Sequence, residues 1–154
     1  MNEQLNIYQA SKADITALAE LFNEYRQFYK QADNQEACFE FLSQRFENKE
    51  SIAFIAELEG APAGFIHLYP GFSSVYLKQI WTMNDLYVRS NARRMGVGFA
   101  LLDAAKQMAI ESGAILVKLS TEQRNLAAQK VYEAKGYRRD TTFYHYLLPL
   151  YENR

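Results

Sequence analysis

The stretch Asp85-Leu86-Tyr87-Val88 is apolar and strand-like, and the basic run Arg93-Arg94-Met95-Gly96-Val97-Gly98 follows it closely. A helical pattern begins at about Gly96. No other part of the chain constrains the fold as tightly, because a strand, a turn and a helix start must fit within fourteen residues. Glycines let the backbone approach a ligand and turn its N–H groups outward. A helix starting there adds unpaired N–H groups and the positive end of its dipole. With Arg89, Arg93 and Arg94 in the same loop, the pattern predicts a polyphosphate cradle. A P-loop is excluded, since Gly98 is followed by Phe99 and Ala100 rather than Lys-Ser/Thr. A dinucleotide fingerprint is excluded because Leu101 stands where its third glycine belongs. An ordinary strand–turn–helix connection is the competing reading.

The length of 154 residues suits one domain, residues 1–154, around a single core. No apolar run approaches the ~20 residues of a membrane span. Met1-Asn2-Glu3-Gln4 lacks the basic and apolar regions of a signal peptide. The lone Cys38 fits a reducing cytoplasm and reads as a small core residue. Charge is uneven: the first sixty residues hold 11 acidic and 5 basic side chains, and the remainder 7 and 12. An acidic half and a basic half suggest two ligands of opposite sign, or simply scattered solvated charge. A net charge of −1 argues against a general nucleic-acid binder.

Leu5–Ala10 reads as a first strand. Ser11 and Asp14 resemble a capping box opening a helix to about Lys30, with Ile15, Leu18, Leu21, Phe22, Tyr25, Phe28 and Tyr29 at helical spacing. Asp33-Asn34 opens a second helix carrying Phe39, Leu42 and Phe46. Ser51–Leu58 and Ala63–Phe72 form a hairpin around the turn Glu59-Gly60-Ala61-Pro62. Residues 71–78 read as a loop and Gln79–Val88 as a long strand. The helix after the cradle buries Leu101, Ala105 and Met108 and stops at Gly113. Ile115–Ser120 is a short apolar strand of the kind found in parallel pairing. Asn125–Lys135 is a helix ended by Gly136, and Tyr137–Leu148 reads as a last strand. The order β-α-α-β-β-β-α-β-α-β predicts an α/β (α+β) fold, a mixed sheet flanked by about four helices.

Two patterns now combine. Arg93-x-x-Gly96-x-Gly98 follows a strand ending Leu86-Tyr87-Val88, and Asn125-x-x-Ala128-x-x-x-Tyr132-x-x-x-Gly136-Tyr137 comes later. Together they resemble the GNAT family of N-acetyltransferases over nearly the whole chain. The helix bearing Leu21 to Tyr29 resembles a subgroup acting on polyamines and on basic protein or small-molecule amines. The resemblance implies a mostly antiparallel central sheet in which the long strand and the short one beside it splay apart. Acetyl-CoA, the co-substrate, would lie in that gap. Backbone groups around Leu86, Tyr87 and Val88 would pair with its pantetheine. The N–H groups of Arg94, Met95, Gly96, Val97 and Gly98 would hold the pyrophosphate, with Arg93 or Arg94 neutralising it. Asn125 would bond the pantetheine or cap the following helix.

The resemblance also implies direct transfer to an unprotonated amine, with an N–H of Leu86 or Tyr87 facing the developing oxyanion. Tyr132 stands where the family has its general acid, and a phenol of pKa about 10 is matched to a thiol leaving group. Its bland reading is a half-buried helix aromatic. The base is open. Many relatives carry Glu where Asn84 stands, and an amide cannot take the proton. Asp85 points to the opposite face unless a bulge re-aims it. Glu122 and a water chain are the other candidates. Tyr25 and Tyr29 share a helical face with Phe22, so they are core or an aromatic wall of the acceptor pocket, where Glu24 would favour a cation. Trp81 belongs to the core or to the acceptor side, and Asn84 would also line that side. His67 and His145, isolated in strands without metal-ligand spacing, read as core or sheet residues.

The chain is therefore expected to be a cytoplasmic acetyl-CoA-dependent N-acetyltransferase acting on a primary amine of a small cationic molecule or basic peptide. No metal, nucleic-acid or membrane partner is expected. The Tyr-rich last strand, with Tyr144 and Tyr146, offers an edge for a homodimer. The alternative from another class is a non-catalytic acyl-CoA-binding sensor, for which Asn84 leaves room.

Overall fold

The computed structural model describes residues 4–151. These form two compact units, one ending at Ser120 and one beginning at Thr121. The first is built on a five-stranded sheet: β1 (Leu5–Gln9), β2 (Ile52–Leu58), β3 (Ala61–Ser73), β4 (Lys78–Val88) and β5 (Val117–Lys118), in that spatial order. β1 to β4 pair antiparallel, and β5 joins β4 in parallel. Helices α1 (Ile15–Phe28) and α2 (Gln35–Glu47) lie between β1 and β2 in the chain, and α3 (Val97–Glu111) lies between β4 and β5. The second unit holds α4 (Leu126–Ala134). This is the mixed, mostly antiparallel architecture with a parallel pair and four helices that the sequence predicts. Among the described residues no helix is long and apolar enough to cross a membrane.

Strand alternation sorts the core into two faces. Phe65 and His67 of β3 meet Phe22 of α1, with ring centroids 5.9 and 6.1 Å apart. Gly64 and Ile66 point the other way, and Val88, opposite Gly64, brings its Cγ2 to 4.0 Å from a Cβ built on Gly98 of α3. Leu18, Leu21, Leu42, Ile55 and Phe65 are wholly buried on the α1–α2 side. Each such side chain contributes roughly 1.5–3 kcal/mol by leaving water. Cys38 is buried in the same cluster. Asn23, buried in the middle of α1, is the one polar side chain there that the apolar pattern hides. Its Nδ2 donates to Asp33 at 2.7 Å and its Oδ1 accepts the Asn34 N–H at 3.0 Å. It thereby fixes the loop that opens α2, whose N-cap is Asn34 itself.

Four boundaries differ from expectation. The first hairpin turns on Glu59 and Gly60 alone, both at positive φ, so β3 already begins at Ala61. Pro62 pairs with Glu57 beside a register shift at Ala56/Glu57, an irregularity of the ladder of the kind where proline is tolerated. β3 runs on to Ser73 and β4 starts at Lys78, which shortens the expected 71–78 loop to a hairpin tip. β5 is only two residues long, although Ile115 N–H to Gln79 O and Trp81 N–H to Leu116 O extend its contact with β4 backwards. The expected last strand, Tyr137–Leu148, does not form: after α4 the described residues contain no strand. Alternation alone makes no strand, and within residues 121–151 no second strand exists to receive its ladder. Asp140 instead holds a local turn by accepting the N–H groups of Thr142 and Phe143.

Gly64 is tightly enclosed by the neighbouring strand. A Cβ there would lie 2.5 Å from the Tyr87 carbonyl oxygen and 3.2 Å from Val88 Cα, both backbone atoms that cannot swing aside. Gly64→Ala is expected to destabilise the fold by about 1–3 kcal/mol through overpacking. Urea denaturation checks this, and an unchanged midpoint would mean that β3 and β4 separate freely here.

Candidate functional site

The outer edge of β4 parts from β5 early. Their pairing is Trp81 with Val117 and Thr82 with Lys118, and β4 then continues alone on that side to Val88. On its other side β4 stays bonded to β3, and the Arg89 N–H to Ala63 O bond of 2.8 Å sets the parity. In an antiparallel ladder the bonding residues alternate, so Tyr87 faces Phe65 with its N–H and C=O. Leu86 and Val88 consequently present theirs to the gap. An unpaired edge inside an α/β fold is a place for an extended ligand to add itself as a strand.

The edge runs into the glycine loop. Arg94 and Gly96 both adopt positive φ, 66° and 81°, and Gly96 is the N-cap of α3. Such alternation turns successive N–H groups toward one side. Among the described residues the N–H groups of Arg94, Met95, Gly96, Val97 and Gly98 reach no backbone carbonyl, and the helix ladder starts with Ala100 N–H to Gly96 O at 3.0 Å. Gly98 is the telling residue. Its φ is ordinary, and a Cβ would meet only Val88 Cγ2, at 4.0 Å. The protein itself has no need of a glycine in this first helical turn, whereas a ligand seated on the N–H groups does. The residues thus fit a pyrophosphate.

The three arginines have separate tasks. Arg89 is committed to the fold: Nε and Nη2 grip Glu24 at 3.0 and 2.7 Å, and Nη1 donates to Pro62 O at 2.9 Å. Its pKa is raised, first by the bond to Glu24. Tyr87 Oη also donates to Glu24, at 3.2 Å, and burial followed by that carboxylate pushes the phenol up. Glu24 is therefore held by two partners, not open to an incoming cation. Arg93 turns back over the gap, with Nε 3.0 Å from Val88 O and its guanidinium 5.9 Å from the Phe28 ring centre. Arg94 makes no side-chain hydrogen bond or ion pair with another described residue, which leaves it available to an anion.

On the α1 face Tyr25 packs on Phe65 and Tyr87, with centroids at 5.7 and 6.2 Å, and on Tyr29 at 5.2 Å. Tyr29, the C-cap of α1, is exposed. Trp81 is buried, and its indole N–H donates to Ser112 just after α3 at 2.9 Å. The β3–β4 register steps from His67↔Asp85 to Leu68↔Met83, so Asn84 is the extra residue of a bulge. Asp85 faces His67, with Nδ1 to Oδ2 at 2.9 Å, while His67 Nε2 lies 2.8 Å from Ser51 Oγ. In the sequence His67 is an isolated sheet residue, and no local signal joins it to Ser51 and Asp85. His145 is exposed, with Asp140 at 3.3 Å.

In the second unit Asn125 caps α4, its Oδ1 accepting the Ala128 N–H at 3.1 Å. Tyr132 lies on α4, half-buried, with its ring centre 5.9 Å from that of Tyr137. Glu122 is exposed, and its carbonyl accepts the Asn125 N–H.

Comparison with known proteins gives these features a context. Residues 16–137 match the Acetyltransferase (GNAT) family. An uncharacterized N-acetyltransferase of Bacillus subtilis, YhfO, is 48% identical over 94% of this chain and 97% of its own. A D-amino-acid N-acetyltransferase of Saccharomyces cerevisiae, HPA3, is 28% identical over 94% of this chain and 91% of its own. A crystal structure of a probable acetyltransferase superposes with a TM-score of 0.91 at 43% identity, covering 96% of this chain and 99% of that one.

Gly98→Ala is expected to stabilise the free protein by about 0.5–1 kcal/mol, the usual gain over glycine within a helix. It should at the same time weaken CoA binding. Thermal melts with titration calorimetry check both, and a loss of stability without ligand would make Gly98 a structural residue. Arg89→Ala should lower the unfolding free energy by about 1 kcal/mol, a modest figure because the pair is partly exposed. Arg94→Ala should change stability by less than about 0.5 kcal/mol yet weaken CoA binding. Equal loss of affinity in the two variants would refute this division.

Proposed function

The chain belongs to the acetyltransferase (GNAT) family and is an acetyltransferase, and on that premise we propose that it moves an acetyl group from acetyl-CoA directly to a primary amine of a small cationic molecule or basic peptide. The supporting observation is the continuity of two features. The open edge at Leu86 and Val88 is followed, after a 3-10 turn at Ser90–Ala92, by the N–H groups from Arg94 to Gly98, and Val88 Cγ2 lies 4.0 Å from a Cβ built on Gly98. An extended amide-bearing arm and a pyrophosphate are the two halves of one ligand. The small-molecule branch draws support from the relative named for D-amino acids. The family match spans both compact units, which supports reading residues 1–154 as one acetyltransferase domain. We place it in the cytoplasm, in keeping with the lone buried Cys38.

In this reading the pantetheine pairs with Leu86 and Val88, and Arg94 neutralises the pyrophosphate while Arg93 guards the carbonyl of Val88. The Leu86 N–H polarises the thioester carbonyl, since that of Tyr87 is engaged with β3. Asn125 keeps its cap and steadies the start of α4. Tyr132 protonates the departing sulfur. Tyr25 and Tyr29 form the aromatic wall for the acceptor, whose cation is drawn to ring faces, and Asn84 borders it. Trp81 stays in the core. No covalent enzyme intermediate is needed, because holding both substrates in line supplies much of the acceleration.

The test is CoA release from acetyl-CoA with a panel of primary amines, from diamines and D-amino acids to lysine peptides. Turnover with at least one amine is expected. Tight acetyl-CoA binding with no turnover on any would defeat the proposal. Tyr132→Phe should lower kcat by about 10²-fold, the lower end for a lost general acid, with little change in acetyl-CoA affinity. Equal activity would return Tyr132 to packing.

A further inference from the structure

We propose that Asp85 is the base that takes the proton of the acceptor amine, with Ser51 and His67 as the residues that position it. The proposal rests on the reading of the chain as an amine acetyltransferase and assigns the group that reading lacks. Because Asn84 is the extra residue, Asp85 lies directly opposite His67. Asp85 alternates with Tyr87, whose ring meets Tyr25, so its carboxylate belongs to the α1 face. That is the face assigned to the acceptor. No lysine or arginine pairs with Asp85 among the described residues; the side chain against it is His67, Nδ1 to Oδ2 at 2.9 Å.

With Asp85 ionised and His67 neutral, the contacts set the direction of each hydrogen bond. An ionised carboxylate only accepts, so His67 must donate from Nδ1 to Asp85 Oδ2. His67 Nε2 is then the acceptor, and the Ser51 hydroxyl donates to it. Asn84 Nδ2 donates to the second oxygen, Oδ1, at 3.1 Å. Both oxygens are held from outside, and Oδ1 retains capacity for one more donor. Asn84 is exposed while Asp85 is 5% exposed, so the carboxylate lies one side chain below the surface, beneath the bulge. The other ionisable neighbours do not compete. Tyr69, 4.7 Å from the His67 ring, has its phenol pushed up to about 12 by burial and then by Asp85. Arg45 and Glu50 are paired to each other at 2.6 Å.

The step balances. One N–H proton of the ammonium passes to Asp85 Oδ1, and the freed lone pair forms the C–N bond at the acetyl carbon. The C–S bond then breaks, and the sulfur keeps its electrons. A second nitrogen proton leaves as the amide forms, and one proton reaches the sulfur from Tyr132, which the second replaces. Asp85 returns its proton to solvent. Ser51 borders a cavity of about 440 Å³ shared with Gln9, Lys12, Lys49 and Trp81. Water entering there can replace a lost hydroxyl, so removing Ser51 should be milder than removing Asp85.

The distinguishing experiment varies the basicity of the acceptor, from an alkyl diamine to trifluoroethylamine, which is already unprotonated at neutral pH. Asp85→Asn should lower kcat on the diamine by about 10²-fold or more and on trifluoroethylamine by less than about 5-fold, since only the first needs a base. Its acetyl-CoA affinity should stay within about 2-fold, as the carboxylate makes no contact assigned to that ligand. Ser51→Ala should follow the same trend at about 3- to 10-fold. If Asp85→Asn does not fold, as judged by circular dichroism, the trend in Ser51→Ala decides. A loss equal on both amines, or no loss on either, would overturn the assignment. Wild-type protein that binds acetyl-CoA but acetylates neither amine would remove the enzymatic reading, and this inference with it.

Discussion

The early end of the β4–β5 pairing governs the rest of the molecule. A buried strand edge carries N–H and C=O groups that must find partners. In β4 those of Leu86 and Val88 have none on the β5 side except the Arg93 Nε at the Val88 carbonyl. Everything nearby either enforces that opening or uses it. Gly64 lets the backbone of β3 lie close against Tyr87 and Val88 at the end of β4. The bidentate grip of Arg89 on Glu24 fastens the same end to α1. The left-handed residues Arg94 and Gly96 then carry the line of free donors from the strand edge to the helix terminus.

The bulge at Asn84 is the second half of that design. Upstream of it, Trp81 serves the α3 side through Ser112; downstream, Asp85 and Tyr87 serve the α1 side. One inserted residue thus lets a single strand hold a core anchor, a buried carboxylate and an open backbone edge within eight positions. A regular strand would place these on alternating faces in one phase and could not put Asp85 opposite His67 while keeping Trp81 against α3.

What the sequence made legible divides along the same line. The cradle could be read because its cause is local: glycine conformations, a helix start and a preceding apolar strand lie within fourteen residues. Helices α1 to α4 and the order of the strands followed from periodicity and caps such as Asn34 and Asn125. Arg89 looked like a phosphate ligand because its partner, Glu24, is 65 positions away in sequence. The Ser51–His67–Asp85 chain draws on three strands' worth of register, including one irregularity that no composition encodes. The expected last strand failed for a related reason: alternation in Tyr137–Leu148 specifies a face but supplies no neighbour.

The charge asymmetry also resolves through a distant contact. An acidic first half facing a basic second half suggested two ligands of opposite sign. Glu24 instead neutralises Arg89 across the two halves, so this acidic group of α1 is used in holding the fold together. In the proposed reading a cation approaching Tyr25 and Tyr29 would then meet aromatic faces, while the Asp85 carboxylate lies beside Asn84. A ring face attracts a cation with little regard to its exact placement, whereas a buried carboxylate rewards a short N–H contact. Selection at such a surface would favour any slender primary amine able to reach past Asn84.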